Sequence, residues 1–123
     1  MKGLSEGVFL ECRRRLIKAK EEILNRVRQA KLEFSQLDKT GGDEGDQTMA
    51  YLAENDFLSL QSILKTQLLE IELALARMET GNYGICEETD ELIEPDRLKA
   101  LPWTRLSIEG AEIREASKKR FAK

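Results

Sequence analysis

The sequence predicts a mainly α protein, in which a long antiparallel coiled-coil helical hairpin joins a small globular head. Charged residues make up 35% of the 123 residues and aromatic residues only 6%, with two prolines, and this composition is typical of long helices. Two heptad-like apolar stripes flank one glycine-rich segment, and the helical period is lost after Gly81. We therefore expect a hairpin over residues 5–80 with its tip at 39–46, and a head over residues 81–123.

The first helix follows from apolar residues that recur at alternating spacings of three and four, the period of one helix face. These residues are Phe9, Cys12, Leu16, Ala19, Ile23, Val27, Ala30, Phe34 and Leu37. A stripe of about four heptads needs a second helix to cover it.

The segment 39–46, KTGGDEGD, has three glycines and three acids, which is the composition of a turn between helices. Asp46 or Thr48 is expected to cap the helix that follows. That helix carries a second stripe, made of Met49, Ala53, Phe57, Leu60, Leu64, Leu68, Ile71, Leu75 and Met78. Because the connection is short, the two helices must run antiparallel, which places 39–46 at the tip of the hairpin.

The head begins where Gly81 is expected to end the second helix, as glycine does at the C′ position. Residues 83–86 and 92–93 are expected to pair as a very short β-hairpin. Pro95 starts a single helical turn through Leu101, and helical spacing returns over residues 108–121. We expect an apolar head core drawn from Tyr83, Ile93, Leu98, Leu101, Trp103, Leu106, Ile108 and Ile113.

Several functional classes are disfavoured by composition. The net charge is −3 and the basic residues are interspersed with acids, so a phosphate-binding stripe for direct DNA binding is not expected. The chain has no histidine and no glycine-rich phosphate loop after a strand, so nothing indicates an enzyme. No apolar run approaches the roughly 20 residues of a membrane span, and two cysteines without a signal peptide indicate reduced thiols in the cytoplasm.

The stretch GNYGICEET, residues 81–89, has the turn, the aromatic residue and the first cysteine of a zinc knuckle. Zinc requires four ligands, and the only other cysteine, Cys12, falls on the apolar face of the first helix. A site completed by carboxylates would be atypical; the candidates are Glu87, Glu88, Asp90 and Glu91. We expect Cys86 to pack as a small buried hydrophobe, in a head held by its apolar core rather than by zinc.

Residue type and position leave two interpretations open for each of two charged features. The acids of residues 43–46 form either a solvated turn or a working loop that reaches into a cavity of a partner. The runs Arg13-Arg14-Arg15 and Lys118-Lys119-Arg120 are either solvated helix faces or partner contacts.

The order and spacing of several head residues resemble a bacterial family. They are Tyr83-Gly84-Ile85-Cys86, Ile93, Arg97-Leu98, Ala100 and Pro102. The DksA/TraR family of RNA polymerase regulators has the pattern Y/F-G-x-C-x-x-C-G, an isoleucine, R-L-x-A-x-P and a second C-x-x-C pair. The resemblance runs without a gap from the tip to the C-terminus. It implies a zinc-knuckle head and a coiled-coil hairpin that enters the polymerase secondary channel.

The resemblance also implies roles for individual positions. The two aspartates of the family's functional tip motif, D-x-x-D-x-A, fall on Asp43 and Asp46, with Thr48 in place of the alanine. The four zinc-ligand positions fall on Cys86, Thr89, Ser107 and Gly110, and the knuckle glycine falls on Asp90. Only one of the four ligands is a cysteine, which implies a degenerate, zinc-free knuckle.

The family's contacts to the alarmone ppGpp fall on Glu70, Leu101 and Ala111. None of these residues is basic, so we do not expect the ppGpp site to be kept. Candidate partner contacts are Arg97, Lys118, Lys119 and Arg120.

The combined prediction is a monomeric, cofactor-free regulator of the stringent-response type. It would bind RNA polymerase through the secondary channel and its rim, without direct DNA binding. Two alternatives stay open: a coiled-coil scaffold or adaptor, and a Gre-like transcript-cleavage factor.

Overall fold

The computed structural model describes residues 4–36 and 44–121. Within them lie helices α1 (Glu6–Ser35), α2 (Glu44–Thr80), α3 (Pro95–Ala100) and α4 (Ile108–Phe121). The chain divides into two compact units. The hairpin unit is Lys20–Leu69, and the head unit combines Met1–Ala19 with Glu70–Lys123. No described helix has an apolar stretch long enough to cross a membrane.

The hairpin unit is formed by the second part of α1 and the first part of α2. Ile23, Ala30 and Leu64 are buried, as the two stripes predict. The rings of Phe34 and Phe57 stack with their centroids 4.3 Å apart and their planes within 7°. Each helix therefore covers the apolar face of the other, which is how amphipathic helices gain stability in water.

Two residues of the second stripe differ from the prediction. Met49 is 66% exposed rather than buried. Phe34, one residue before the end of α1, stacks on Phe57, so Met49 lies beyond the part of α2 that α1 covers. The start of α2 also differs, because the helix begins at Glu44 and includes the backbone of Asp46 and Thr48, the two predicted caps.

The head unit is built around side chains that are almost completely buried. They are Cys12, Leu16, Ile71, Ala74, Met78, Tyr83, Cys86, Ile93 and Leu98. Tyr83 meets Phe9 edge to face, with ring centroids 6.1 Å apart. Its hydroxyl donates to the Pro102 carbonyl at 2.8 Å, so the polar end of the ring is satisfied inside the core.

The connection from α2 into the head follows the predicted turn chemistry. Gly81 has φ 79°, and Asn82 N–H donates to the Arg77 carbonyl at 2.9 Å, which closes the helix end with a Schellman-type bond. Gly84 has φ 86°, and a Cβ there would lie 3.2 Å from Cδ2 of Leu4. Ile85 and Leu92 then form the predicted antiparallel pair.

Three predicted head-core residues are exposed instead: Leu101, Ile108 and Ile113. Helix α4 contacts the rest of the head through Gly110 and Arg114, which are four residues apart and share one face. Ile108 lies two positions from Gly110, so its side chain projects from nearly the opposite face. Helix α4 is predominantly polar and docks through a glycine, so its larger apolar side chains, Ile108 and Ile113, are left in solvent.

Gln61 lies among the apolar residues of α2 and is only 7% exposed. Neither its side-chain nitrogen nor its oxygen has a hydrogen-bond partner.

We predict that Gln61→Leu raises the free energy of unfolding by about 1–3 kcal/mol, because it removes a buried, unsatisfied amide. Urea denaturation measures the change. The control is Gln67→Leu, the same change at an exposed position of α2, with an expected effect within about 0.5 kcal/mol. Destabilisation by Gln61→Leu would contradict the prediction.

Candidate functional site

The structure brings together the four positions that the resemblance assigns to zinc ligands. Cys86 follows the short β-pair, Thr89 lies in the turn after it, and Ser107 and Gly110 lie at the start of α4. Ser107 Oγ donates to Cys86 Sγ at 3.4 Å, and Gly110 N–H donates to Ser107 Oγ at 3.0 Å. Ser107 therefore caps α4 while it holds the thiol.

The thiol of Cys86 is completely buried and lies in a field of hydrogen-bond donors. Burial raises the pKa of Cys86. The hydroxyl and backbone groups of Ser107 and Thr89 lower it by more than burial raises it, so the pKa falls to about 7. Donors favour the charged form of an acid, and here they outweigh the cost of removing the thiolate from water. This cluster, Cys86 with Thr89, Ser107 and Gly110, is called the knuckle cluster below.

The knuckle cluster does not fit a zinc ion. It offers one thiol, two hydroxyl groups and a glycine, whereas structural zinc takes four ligands of the Cys, His or carboxylate type. A Cβ at Gly110 would lie only 2.3 Å from Cys86 Sγ, so the thiol fills the space that a ligand side chain at 110 would need. Over the part of the chain that the structure describes, no three Cys, His, Asp or Glu side chains are placed to hold a metal.

Ionic and polar contacts support the knuckle cluster from outside. Arg114 on α4 pairs with Glu88 at 2.8 Å and with Glu87 at 3.6 Å. The Glu94 carboxylate accepts the first N–H of α4, from Ile108, at 3.2 Å. Sequence reasoning missed these contacts, since the partners are 14 or more residues apart and no local pattern links them.

The predicted tip is only partly described. Asp43 lies outside the described residues. The backbone of Asp46 is helical in α2, and its side chain also lies outside the description. Thr48 is exposed on the same helix.

The predicted partner contacts divide into structural and exposed residues. Arg97 is half-buried and donates through Nε to the Leu106 carbonyl at 2.8 Å, so it supports the loop before α4. Lys118, Lys119 and Arg120 are exposed in the last turn of α4.

Two of the three residues in the N-terminal arginine run are committed to contacts within the protein. The Glu11 carboxylate binds Arg14 at 2.7 Å and Arg15 at 2.6 Å. These two guanidinium groups, Arg14 more than Arg15, lower the pKa of Glu11 to about 2. Arg15 also donates to the Lys99 carbonyl at 2.7 Å. Arg13 is exposed.

The alarmone positions carry a contact that the sequence did not predict. Glu70 forms an ion pair with Arg105 at 2.8 Å. Arg77 lies beside them and donates to the Trp103 carbonyl at 3.2 Å. Burial lowers the pKa of Arg77, and the neighbouring Arg105 lowers it further.

The proteins that this chain resembles include transcription factors. The family profile for the prokaryotic dksA/traR C4-type zinc finger matches residues 81–116. An uncharacterized protein of Aquifex aeolicus is 32% identical over 117 residues, which cover 89% of this chain and 77% of that protein. The RNA polymerase-binding transcription factor DksA of Caulobacter vibrioides is 31% identical over 103 residues, covering 84% of this chain and 72% of that protein.

Among solved structures, the transcription factor DksA2 from Pseudomonas aeruginosa matches with a TM-score of 0.84 and 30% identity, over 94% of this chain and 88% of that one. The match confirms the predicted fold class, a mainly α protein with a coiled-coil hairpin and a small head. These features define the class of hairpin proteins whose head is related to a zinc finger. The chain belongs to the DksA/TraR family.

The close contact between Gly110 and Cys86 predicts a specific steric coupling. Gly110→Ala is expected to lower the free energy of unfolding by about 1–3 kcal/mol, because the new methyl group would overlap the thiol. Adding Cys86→Ala should recover part of that loss, since it removes the overlapping atom. Thermal and urea denaturation of the single and double variants measure the coupling.

The control for this series is Gly7→Ala, where a Cβ meets nothing within 4 Å and stability should stay level or rise slightly. Additive losses in the double variant would contradict the proposed contact.

The lowered pKa of Cys86 predicts a pH-dependent stability. The pKa of Cys86 in the folded protein, about 7, lies below the ordinary value of 9.0. The contribution of this shift to folding stability is therefore fully present above pH 9 and is lost as the pH falls through 7. The ultraviolet absorbance of the thiolate should titrate near pH 7 in the folded protein, and higher in Ser107→Ala. Cys86→Ala should remove this part of the pH dependence. An unshifted titration in Ser107→Ala would contradict the role of the hydroxyl group.

Proposed function

We propose that this protein regulates transcription by binding RNA polymerase in the secondary channel, without direct DNA binding. The observation that carries the proposal is the joint preservation of the hairpin and the knuckle fold in a chain similar to an RNA polymerase-binding transcription factor. The hairpin would enter the channel, and the exposed Lys118, Lys119 and Arg120 of α4 would contact the channel rim.

The acidic tip would act electrostatically near the polymerase active centre. In the sequence Asp43 directly precedes α2, and the backbone of Asp46 lies in the first turn of that helix. Carboxylates there would perturb the cations and mobile elements of a nucleotidyl-transfer site, and so change the lifetime of promoter complexes. No covalent step by the regulator is required.

The charge distribution supports a protein partner rather than a nucleic acid. Several of the described cations are committed to carboxylates: Arg14 and Arg15 bind Glu11, Arg105 binds Glu70, and Arg114 binds Glu88. A duplex-binding protein instead presents clustered, uncommitted Lys and Arg to the phosphates.

The chemistry of the knuckle cluster supports a regulator that works without zinc. Its residues cannot supply a tetrahedral ligand set, and the buried thiol already accepts a hydrogen bond from Ser107. The Glu70–Arg105 ion pair places a carboxylate at one of the alarmone positions, which supports action without ppGpp.

The tip role is tested by Asp46→Asn. We predict unchanged affinity for RNA polymerase and loss of regulation at a stringently controlled promoter, because the change removes charge and keeps shape. Competition with a known secondary-channel factor measures binding, and in vitro transcription measures regulation. The control is Glu54→Gln, an exposed carboxylate on α2, which should leave both unchanged.

Full regulation by Asp46→Asn would remove the tip from the mechanism. Absence of polymerase binding by the unaltered protein would favour the scaffold or adaptor. Cleavage of the transcript in a backtracked complex would favour the Gre-like factor.

A further inference from the structure

The short β-pair of the head exposes two apolar side chains next to each other. Cys86 N–H donates to the Glu91 carbonyl and Ile93 N–H to the Gly84 carbonyl, both at 2.8 Å. Ile85 and Leu92 lie between these bonds and form the non-hydrogen-bonded pair, in which the two Cα atoms come within about 4.5 Å.

The alternation of the β-pair decides which side chains face solvent. Cys86 and Ile93 point into the core and are buried. Ile85 and Leu92 point away from it and are 37% and 43% exposed. The fold therefore uses one face of the pair for its own core and leaves an apolar face uncovered.

The charge around this apolar face is strongly negative. Residues 87–96 contain six acids and no Lys or Arg. Glu87 and Glu88 pair with Arg114, and Glu94 accepts the first N–H of α4. Asp90 and Glu91, in the turn next to Leu92, are both exposed.

Asp90 occupies a backbone conformation that favours glycine. Its φ is +59°, and within residues 4–36 and 44–121 it is the one non-glycine residue with a positive φ. An aspartate there costs on the order of 1 kcal/mol relative to a glycine. Within the described residues the carboxylate makes no hydrogen bond or ion pair that offsets this cost, and it is exposed to solvent.

We propose that Ile85, Leu92, Asp90 and Glu91, together called the knuckle face, form a protein-docking surface for a basic segment that carries an apolar side chain. The negative charge opposes nucleic acids and anionic membranes, and the described carboxylates form no metal-binding group. The inference rests on the proposed function, because it assigns the segment to RNA polymerase, as a contact separate from the tip.

The two parts of the knuckle face have different measurable effects. Burial of Ile85 and Leu92 supplies affinity that does not depend on salt. The carboxylates of Asp90 and Glu91 attract a cationic segment, and that attraction weakens as salt is added.

The test measures the Kd for purified core RNA polymerase at several salt concentrations. The double variant Ile85→Gln/Leu92→Gln should raise the Kd by about tenfold or more, which corresponds to about 1.4 kcal/mol. Asp90→Gly and Glu91→Gln should raise the Kd at low salt and flatten its salt dependence. Asp90→Gly should also keep or raise the thermal midpoint, because glycine suits the positive φ.

Two matched controls keep the result specific. Leu10→Gln/Ile17→Gln changes two exposed apolar residues of α1, and Glu79→Gln removes one exposed carboxylate of α2. Both should bind like the unaltered protein.

Equal binding by the unaltered protein and all three knuckle-face variants would overturn the docking surface and leave the proposed function standing. Absence of binding by the unaltered protein would overturn both. An equal loss in the controls, or a lower thermal midpoint for Asp90→Gly, would also overturn the assignment. Binding of Ca²⁺ alone that Asp90→Gly and Glu91→Gln abolish would identify a cation site instead.

Discussion

The close approach of Gly110 to the thiol of Cys86 is the contact on which the head depends. It brings the start of α4 against the β-pair, with Ser107 capping the helix and donating to the sulfur. In a zinc knuckle a metal ion makes this connection and supplies much of the folding free energy. Here hydrogen bonds to a buried thiol, together with complete burial of Tyr83 and Leu98, serve the same structural purpose. Because Gly110 has no side chain, the helix can come this close to the thiol.

This arrangement also explains why the two faces of the β-pair differ. The inward face carries Cys86 and Ile93, and it is saturated by contacts within the head. The outward face carries Ile85 and Leu92 beside a turn that holds Asp90 at a positive φ. Because the inner face supplies the contacts with the head core, side chains on the outer face can change without loss of those contacts. In the proposed regulator, the acidic tip and the knuckle face would be two separate contacts with RNA polymerase.

Residue type and spacing along the chain predicted much of the fold, because helices and turns depend on local geometry. The start of α3 at Pro95, the bounds of α4, the helix stop at Gly81 and the pairing near Ile85 and Leu92 all agree with the structure, and α3 ends one residue earlier than predicted. Burial was predicted less well. Met49 fits the stripe but lies beyond the end of α1, and Gln61 is polar but buried. The exposed Ile108 shows the same limit, since a helix can dock through a face whose key residue is a glycine.

The sequence by itself determined the helices and the turn residues, because these follow from side-chain type and spacing along the chain. Its resemblance to the DksA/TraR family picked out the four positions of the knuckle cluster. Only the tertiary structure decided how those positions meet. The close packing of Gly110 on the Cys86 sulfur, and the ion pair of Arg114 with Glu88, join residues more than 20 positions apart. No local pattern encodes such distances. They arise when the apolar core packs to close density and the polar groups left inside must find partners.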